Sequence, residues 1–363
     1  MKLKVAVIGA GAGGAAAVVE LSRAGHEVRL WNRSPTTLAP FLASGCVGYE
    51  GVLGEGAVRP ALITPDLSAA VADADVALVC LPTFAHAAVA RDLVALGVRG
   101  LPLILNPGHT GGALEVRQAY VDAGVRAPAI AEFSTLTYVA RKYTPGRVTI
   151  SGTAKKIRLA ALPGGNAALK AAMVLFPGAD VVRDVLACDL ANVNMVLHPP
   201  GAVLGAAWVE ARRGDFTFYV EGMTPGVARV MRTLDDERRA VARAFGHELP
   251  GLIEEMQALG TVDAATVVDR SDLASAISSG EANRRIKAPD TLAHRYYLED
   301  FGHGLLPFLE LAAIAGTAVP VADALFTLGQ TLTGVDYRAE GRTASRMGIA
   351  GLDREAVIAL VRG

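Results

Sequence analysis

Near its start the chain reads Lys4-Val-Ala-Val-Ile-Gly-Ala-Gly-Ala-Gly-Gly14, with Gly9, Gly11 and Gly14 spaced as Gly-x-Gly-x-x-Gly. A strand-like apolar run precedes these glycines and an alanine-rich helical run follows them. That order suits a dinucleotide pyrophosphate. Gly9 allows the tight turn, Gly11 lets the backbone approach the phosphates, and Gly14 lets the helix pack closely on the sheet. The first-turn amides and the positive end of the helix dipole then face the anion. Two further groups lie far down the chain. His198, in Asn194-Met-Val-Leu-His198-Pro-Pro-Gly, follows an apolar helical run and precedes two prolines, which should break the helix there. A histidine so fixed is either a satisfied core residue or a functional one. Arg295 and Asp300 sit around an aromatic and glycine-rich turn, His294-Arg-Tyr-Tyr-Leu-Glu-Asp-Phe-Gly-His-Gly-Leu-Leu-Pro307. Taken alone, this pair reads equally as a salt bridge at a helix end.

The elements that must position these residues are legible in outline. After the glycine turn, Ala24-Gly25 supplies a helix C-cap, and His26-Glu-Val-Arg-Leu-Trp31 alternates as a strand. The reading is a Rossmann-type, doubly wound α/β domain. A lysine, apolar and alanine opening also resembles a secretory signal, but glycines at 9, 11, 13 and 14 would break the apolar helix such a signal requires. The second strand runs into Asn32-Arg33-Ser34, where NAD-specific folds usually place an acid for the ribose hydroxyls. A carboxylate would repel a 2′-phosphate, whereas Arg33 can clamp one, so NADP(H) is favoured over NAD(H). Asp75–Leu81 and Leu103–Asn106 read as buried strands. The loops after them, Pro82-Thr83 and Pro107-Gly-His-Thr-Gly-Gly112, lie where open parallel sheets bind ligands. Pro82 and Thr83 are expected to touch the cofactor, and His109 to serve the loop. Arg141 and Lys142 are expected on the cofactor side, more as a solvated face than as ligands. Segments 147–151 and 157–162 are expected to complete the sheet.

After Pro177-Gly178 helical patterns dominate, over Leu186–Leu197, Ala202–Arg213, Pro225–Phe245, Leu305–Ala315 and Val321–Leu332. This predicts domains of residues 1–183 and 184–363, the second all-α. A net charge of −1 gives no electrostatic case for nucleic acid or an anionic membrane. No apolar run reaches the ~20 residues of a bilayer span. Three scattered cysteines, Cys46, Cys80 and Cys188, with no CxxC, suggest reduced cytoplasmic thiols and no metal site.

Asn194…His198-Pro-Pro-Gly, followed by Arg295-Tyr-Tyr-Leu-Glu-Asp300 and Gly304-Leu-Leu-Pro307, resembles the opine dehydrogenase family of the octopine/nopaline dehydrogenase type. Asp336-Tyr-Arg-Ala-Glu-Gly-Arg-Thr343, Met347–Leu352, Asn106–Gly112 and Glu132–Arg141 are similar to its bacterial members. The likeness covers nearly the whole chain. It departs at Asn32-Arg33, where several members carry an acid. The resemblance implies that His198 is the acid–base residue, Asp300 its orienting carboxylate, and Arg295 the substrate-carboxylate ligand. It implies the reductive condensation of an amino acid with a 2-oxo acid such as pyruvate, through an imine, to a secondary-amine dicarboxylate. For a basic amine donor, Glu281 and Glu299 are candidate partners. The apolar helical half is compatible with a homodimer. Two rival readings stand beside this one. A ketopantoate-like 2-oxo-acid reductase would rely on a lysine in the helical half, where Lys287 alone is present. A non-catalytic NADP-binding protein would bind cofactor without turnover.

Overall fold

The computed structural model describes residues 1–154, 156–262, 269, 272–280 and 283–363. The chain forms two compact units. One comprises Met1–Gly108, Gly112–Val185 and Arg362; the other comprises His109–Gly111, Leu186–Val361 and Gly363.

The first unit is built on twelve strands: β1 (Lys4–Ile8), β2 (Glu27–Trp31), β3 (Val47–Gly51), β4 (Gly56–Val58), β5 (Leu62–Thr64), β6 (Val76–Val79), β7 (Leu103–Leu105), β8 (Ile130–Phe133), β9 (Tyr138–Arg141), β10 (Arg147–Thr153), β11 (Ile157–Ala161) and β12 (Ala179–Val181). Eight of them form one sheet in the order β12-β11-β8-β7-β6-β1-β2-β5, parallel throughout except where β11 meets β8. Fully buried apolar runs such as Val76–Val79 suit a sheet covered on both faces. The winding reverses between β1 and β6, so the loops after these two strands flank the crevice where doubly wound folds bind ligands. This is an α/β Rossmann-type fold.

The segment expected to complete that sheet divides. Ile157–Ala161 joins it, but Arg147–Thr153 pairs with β3 and β9 in a second sheet, β4-β3-β10-β9. The alternation along β10 leaves one face buried and one open, which fits a small peripheral sheet better than the doubly covered main one.

The second unit is helical. Its longest helix, Pro225–Ala244, carries an N-cap from Thr224 and a proline in its first turn. The expected break at Pro199-Pro200 does not occur. A helix capped by Asn192 runs Val193–Leu204 straight through both prolines. Proline's fixed φ is compatible with a helix; what is lost is the pair of amide bonds that residues 199 and 200 would donate to Met195 and Val196. Residues Met195 to Val203 are all buried, and their packing outweighs that loss. His198 is therefore a mid-helix residue. Among the described residues, no helix is long and apolar enough to cross a membrane.

The glycine turn follows the steric logic of the motif. Gly9 has φ +118°, and a Cβ on Gly14 would lie 1.8 Å from the Gly9 carbonyl oxygen. At Gly11, the N-cap of helix Ala12–Arg23, a Cβ would meet nothing within 4 Å. Gly14→Ala should therefore overpack the turn, lowering stability by about 1–3 kcal/mol or more and abolishing dinucleotide binding. Gly11→Ala should melt like the parent yet bind dinucleotide more weakly. Thermal melts paired with fluorescence titration of the cofactor separate the two effects.

Candidate active site

Around the turn of the first unit, the side chains sort into those that hold backbone and those that stay free. Asn32 Oδ1 accepts the Ala10 N–H at 3.0 Å, tying the glycine turn to the end of β2. Ser34 caps helix Pro35–Ser44 by accepting from Thr37 N–H. Arg33, between them, is exposed and forms no ion pair among the described residues. Lys142 donates from Nζ to the Ala10 carbonyl at 2.9 Å, which puts an ammonium on the turn itself. At the end of β6, Pro82 is exposed whereas Thr83 is fully buried at the start of a short 3-10 turn. The open space at Gly11, the first-turn amides and the two cations together fit a dinucleotide.

In the second unit, His198 and Asp300 meet although 102 residues separate them. His198 Nδ1 lies 2.7 Å from Asp300 Oδ2, and the two residues are 3% and 4% exposed. A carboxylate accepts, so Nδ1 carries the hydrogen, and in the neutral ring Nε2 is left as the acceptor. Nε2 faces the Tyr219 hydroxyl at 2.7 Å. Tyr296 stacks on the imidazole, with ring centroids 3.8 Å apart and planes 18° apart, and the Phe218 ring approaches at 6.2 Å. Arg295 is exposed at the start of helix Arg295–Asp300 and lies over the Tyr296 ring at 5.7 Å. It interacts electrostatically with Glu299, Tyr296, Asp300 and Tyr219, so cation, carboxylates and phenol share one neighbourhood.

The chain after Asp300 does not continue as an α-helix. Phe301–Leu305 is a π-turn in which Leu306 N–H donates to the Phe301 carbonyl. Such insertions are frequent at functional sites. Its glycines admit close neighbours: a Cβ at Gly304 would touch Met195, on the helix that carries His198, at 3.5 Å. A Cβ at Gly341 would lie 2.4 Å from the Gly302 carbonyl oxygen. The tail motif is structural. Arg342 is fully buried, its N–H donates to Gly302 O at 2.8 Å, and its Nη1 donates to Thr110 O at 2.6 Å. Thr110 and Gly111 are also held by Asp189 and Asn192.

Tyr219, Tyr296 and His294 were not picked out from sequence; the dense aromatic runs Phe216-Thr-Phe-Tyr219 and His294-Arg-Tyr-Tyr297 were the available signal. His109 is more than a surface loop residue. It is buried at φ +55°, and burial lowers its pKa while Glu299 and Asp300 nearby oppose that. Glu299 is buried, and Glu281 lies outside the described residues. The rival reading's Lys287 is a surface residue, bonded to Asp215 at 3.2 Å.

A dinucleotide turn in one unit and a buried carboxylate–imidazole pair beside an arginine in the other define an NAD(P)-dependent oxidoreductase. Residues 181–333 match the family described as NAD/NADP octopine/nopaline dehydrogenase, alpha-helical domain, and residues 5–163 match Ketopantoate reductase PanE/ApbA. An opine dehydrogenase of Arthrobacter sp. (strain 1C) is 34% identical over 96% of this chain and 95% of its own. Vitopine synthase of Allorhizobium ampelinum is 25% identical over 99% of both. Among solved structures, octopine dehydrogenase with NADH and agmatine has TM-score 0.77 at 22% identity over 98% of both chains. Yersinopine dehydrogenase with NADP+ has TM-score 0.73 at 20% identity over 99% of this chain and 98% of that one. The chain belongs to the opine dehydrogenase family, oxidoreductases that act on CH–NH donors.

His294 caps helix Arg295–Asp300 by accepting the Tyr296 N–H on Nδ1. Its pKa falls from 6.5 to about 4, chiefly through burial and then through Arg295 and His198 nearby. The folded value lies below the unfolded one, so this contribution to stability is intact above about pH 6.5 and is lost as pH falls from 6.5 towards 4. His294→Asn keeps a good cap and removes the titration. Its melting temperature, followed across that window, should fall less steeply than the parent's.

Proposed function

We propose that this enzyme condenses an amino acid with a 2-oxo acid using NADPH in preference to NADH. Residues 1–183 serve as the NADP-binding domain and 184–363 as the substrate domain. His198 is the acid–base residue, Asp300 orients it, and Arg295 binds the oxo-acid carboxylate. The observation that carries this reading is the buried His198–Asp300 bond, which fixes the tautomer and can stabilise an imidazolium. Arg295 offers a bidentate fork to a carboxylate. Arg33 and Lys142 supply cations, and no acid stands beside them at the end of β2, where a 2′-phosphate would be repelled. Gly9, Gly11 and Gly14 cradle the pyrophosphate; Asn32 and Ser34 shape the loop that presents Arg33; Pro82 and Thr83 border the cofactor after β6. Among relatives, yersinopine dehydrogenase is seen with NADP+ and octopine dehydrogenase with NADH and pyruvate. The three cysteines are free thiols, consistent with work in a cytoplasm.

The chemistry places proton demands on this chain's own residues. The donor arrives as an ammonium and must lose a proton before its lone pair can form the C–N bond. The carbonyl π pair becomes an oxyanion, which takes a second proton from nitrogen. The carbinolamine hydroxyl then needs a proton to leave as water while the nitrogen lone pair forms the iminium. His198 takes the first proton and returns it at that step. The bound cofactor supplies the hydride that reduces the iminium carbon. Arg295, holding the oxo-acid carboxylate throughout, keeps the reacting carbon in place.

NADPH oxidation, followed with a 2-oxo acid in the presence and absence of a panel of amino acids, should require both partners; equal reduction of the oxo acid alone would identify a hydroxy-acid-forming reductase instead. His198→Ala should lose about 10²–10⁴ in turnover while NADPH affinity survives. An equal loss of cofactor binding would make His198 structural. Arg33→Ala should raise the KM for NADPH roughly ten- to a hundredfold and leave that for NADH nearly unchanged, since it removes charge-assisted bonds to a 2′-phosphate alone.

A further inference from the structure

The imidazole of His198 has little open surface. Asp300 holds Nδ1, Tyr296 covers one ring face at 3.8 Å, and the Tyr219 hydroxyl holds Nε2 at 2.7 Å. Tyr219 is 6% exposed, and its ring lies edge-on to Phe218 at 5.1 Å, so the phenol is held in place by packing. It also lies within electrostatic reach of Arg295. We propose that Tyr219 is a catalytic residue: its hydroxyl, not the imidazole, meets the substrate proton, and Asp300, His198 and Tyr219 form one relay.

The relay balances without any further reagent. The ammonium N–H proton passes to Tyr219 Oη as the phenol's own proton passes to His198 Nε2, leaving an imidazolium paired with Asp300. Reversal gives the proton from Oη to the carbinolamine hydroxyl, the C–O bond breaks, and water leaves. A carboxylate bound by Arg295 is held beside the Tyr296 ring that stacks on His198, the imidazole whose Nε2 faces Oη. The alternative arrangement, in which Tyr219 only covers Nε2 and swings aside, makes the hydroxyl dispensable.

This inference rests on the condensation reading, and Tyr219→Phe separates the two. The variant keeps the ring and its packing, which unchanged melting and NADPH affinity would document. Expected is a fall in kcat of at least about 10²-fold, the lower end of what general acid–base help contributes. A proton inventory in mixed light and heavy water should be curved for the parent and linear for the variant. Turnover within threefold of the parent would overturn the relay alone. A large fall with an unchanged inventory would reduce Tyr219 to a structural role and overturn it too. A parent enzyme that reduces the oxo acid without any amine would overturn both the relay and the condensation reading.

Discussion

An imidazole and a carboxylate at 2.7 Å, both withdrawn from solvent, set the terms for the helical unit. Removing one partner would leave the other buried without compensation, which costs several kcal/mol. The surrounding chain therefore has to deliver two side chains, 102 residues apart, to one point with little tolerance. The helix carrying His198 runs on through two prolines, and the helix carrying Asp300 widens into a π-turn immediately after it. Both are locally unfavourable and both sit beside the pair. The tail motif is part of the same arrangement, because the buried Arg342 joins the π-turn backbone to Thr110.

The two units solve different problems with different materials. At the glycine turn, the proposed recognition of the dinucleotide falls to the backbone: a Cβ at Gly14 would strike the turn, and Gly11 borders open space. At the His198 centre, the proposed recognition and proton transfer fall to side chains, and aromatic rings fill the volume around them. Rings lose few rotamers on burial and hold hydroxyl and imidazole groups in fixed directions. Phe218, Tyr219 and Tyr296 hold that centre by ring packing.

How much of this the sequence disclosed follows from the range of each constraint. The glycine turn was legible because its strain is local: strand, turn and helix adjoin within about one turn of chain. The membership of Arg147–Thr153 in a second sheet was not, because its partner β3 lies about a hundred residues earlier and alternation reports burial on one face, not identity of the neighbour. The proline pair misled for the opposite reason. The local rule is correct about the lost amide bonds, but tertiary packing along Val193–Leu204 overrides it. His198, Arg295 and Asp300 stood out by their local surroundings, but their roles were reached by resemblance, since no spacing rule links them. Tyr219 carried no motif and emerged only from its distance to Nε2.

The stoichiometry of the reaction gives these contacts a common purpose. Forming the secondary ammonium product from an ammonium and an oxo acid releases one water and consumes one proton from solution at each turnover. The base returns the ammonium proton to the leaving hydroxyl, so the proton drawn from solution ends on the product nitrogen. A site open to bulk water would return the iminium to the carbinolamine before hydride transfer. The imidazole is nearly covered, while Arg295, one residue before the ring stacked on that imidazole, is exposed. In the proposed relay the Tyr219 hydroxyl, 2.7 Å from Nε2, carries the proton while bulk water stays off the imidazole. On this view the aromatic packing around His198 is a condition of the chemistry, because it decides which single atom can hand over the proton.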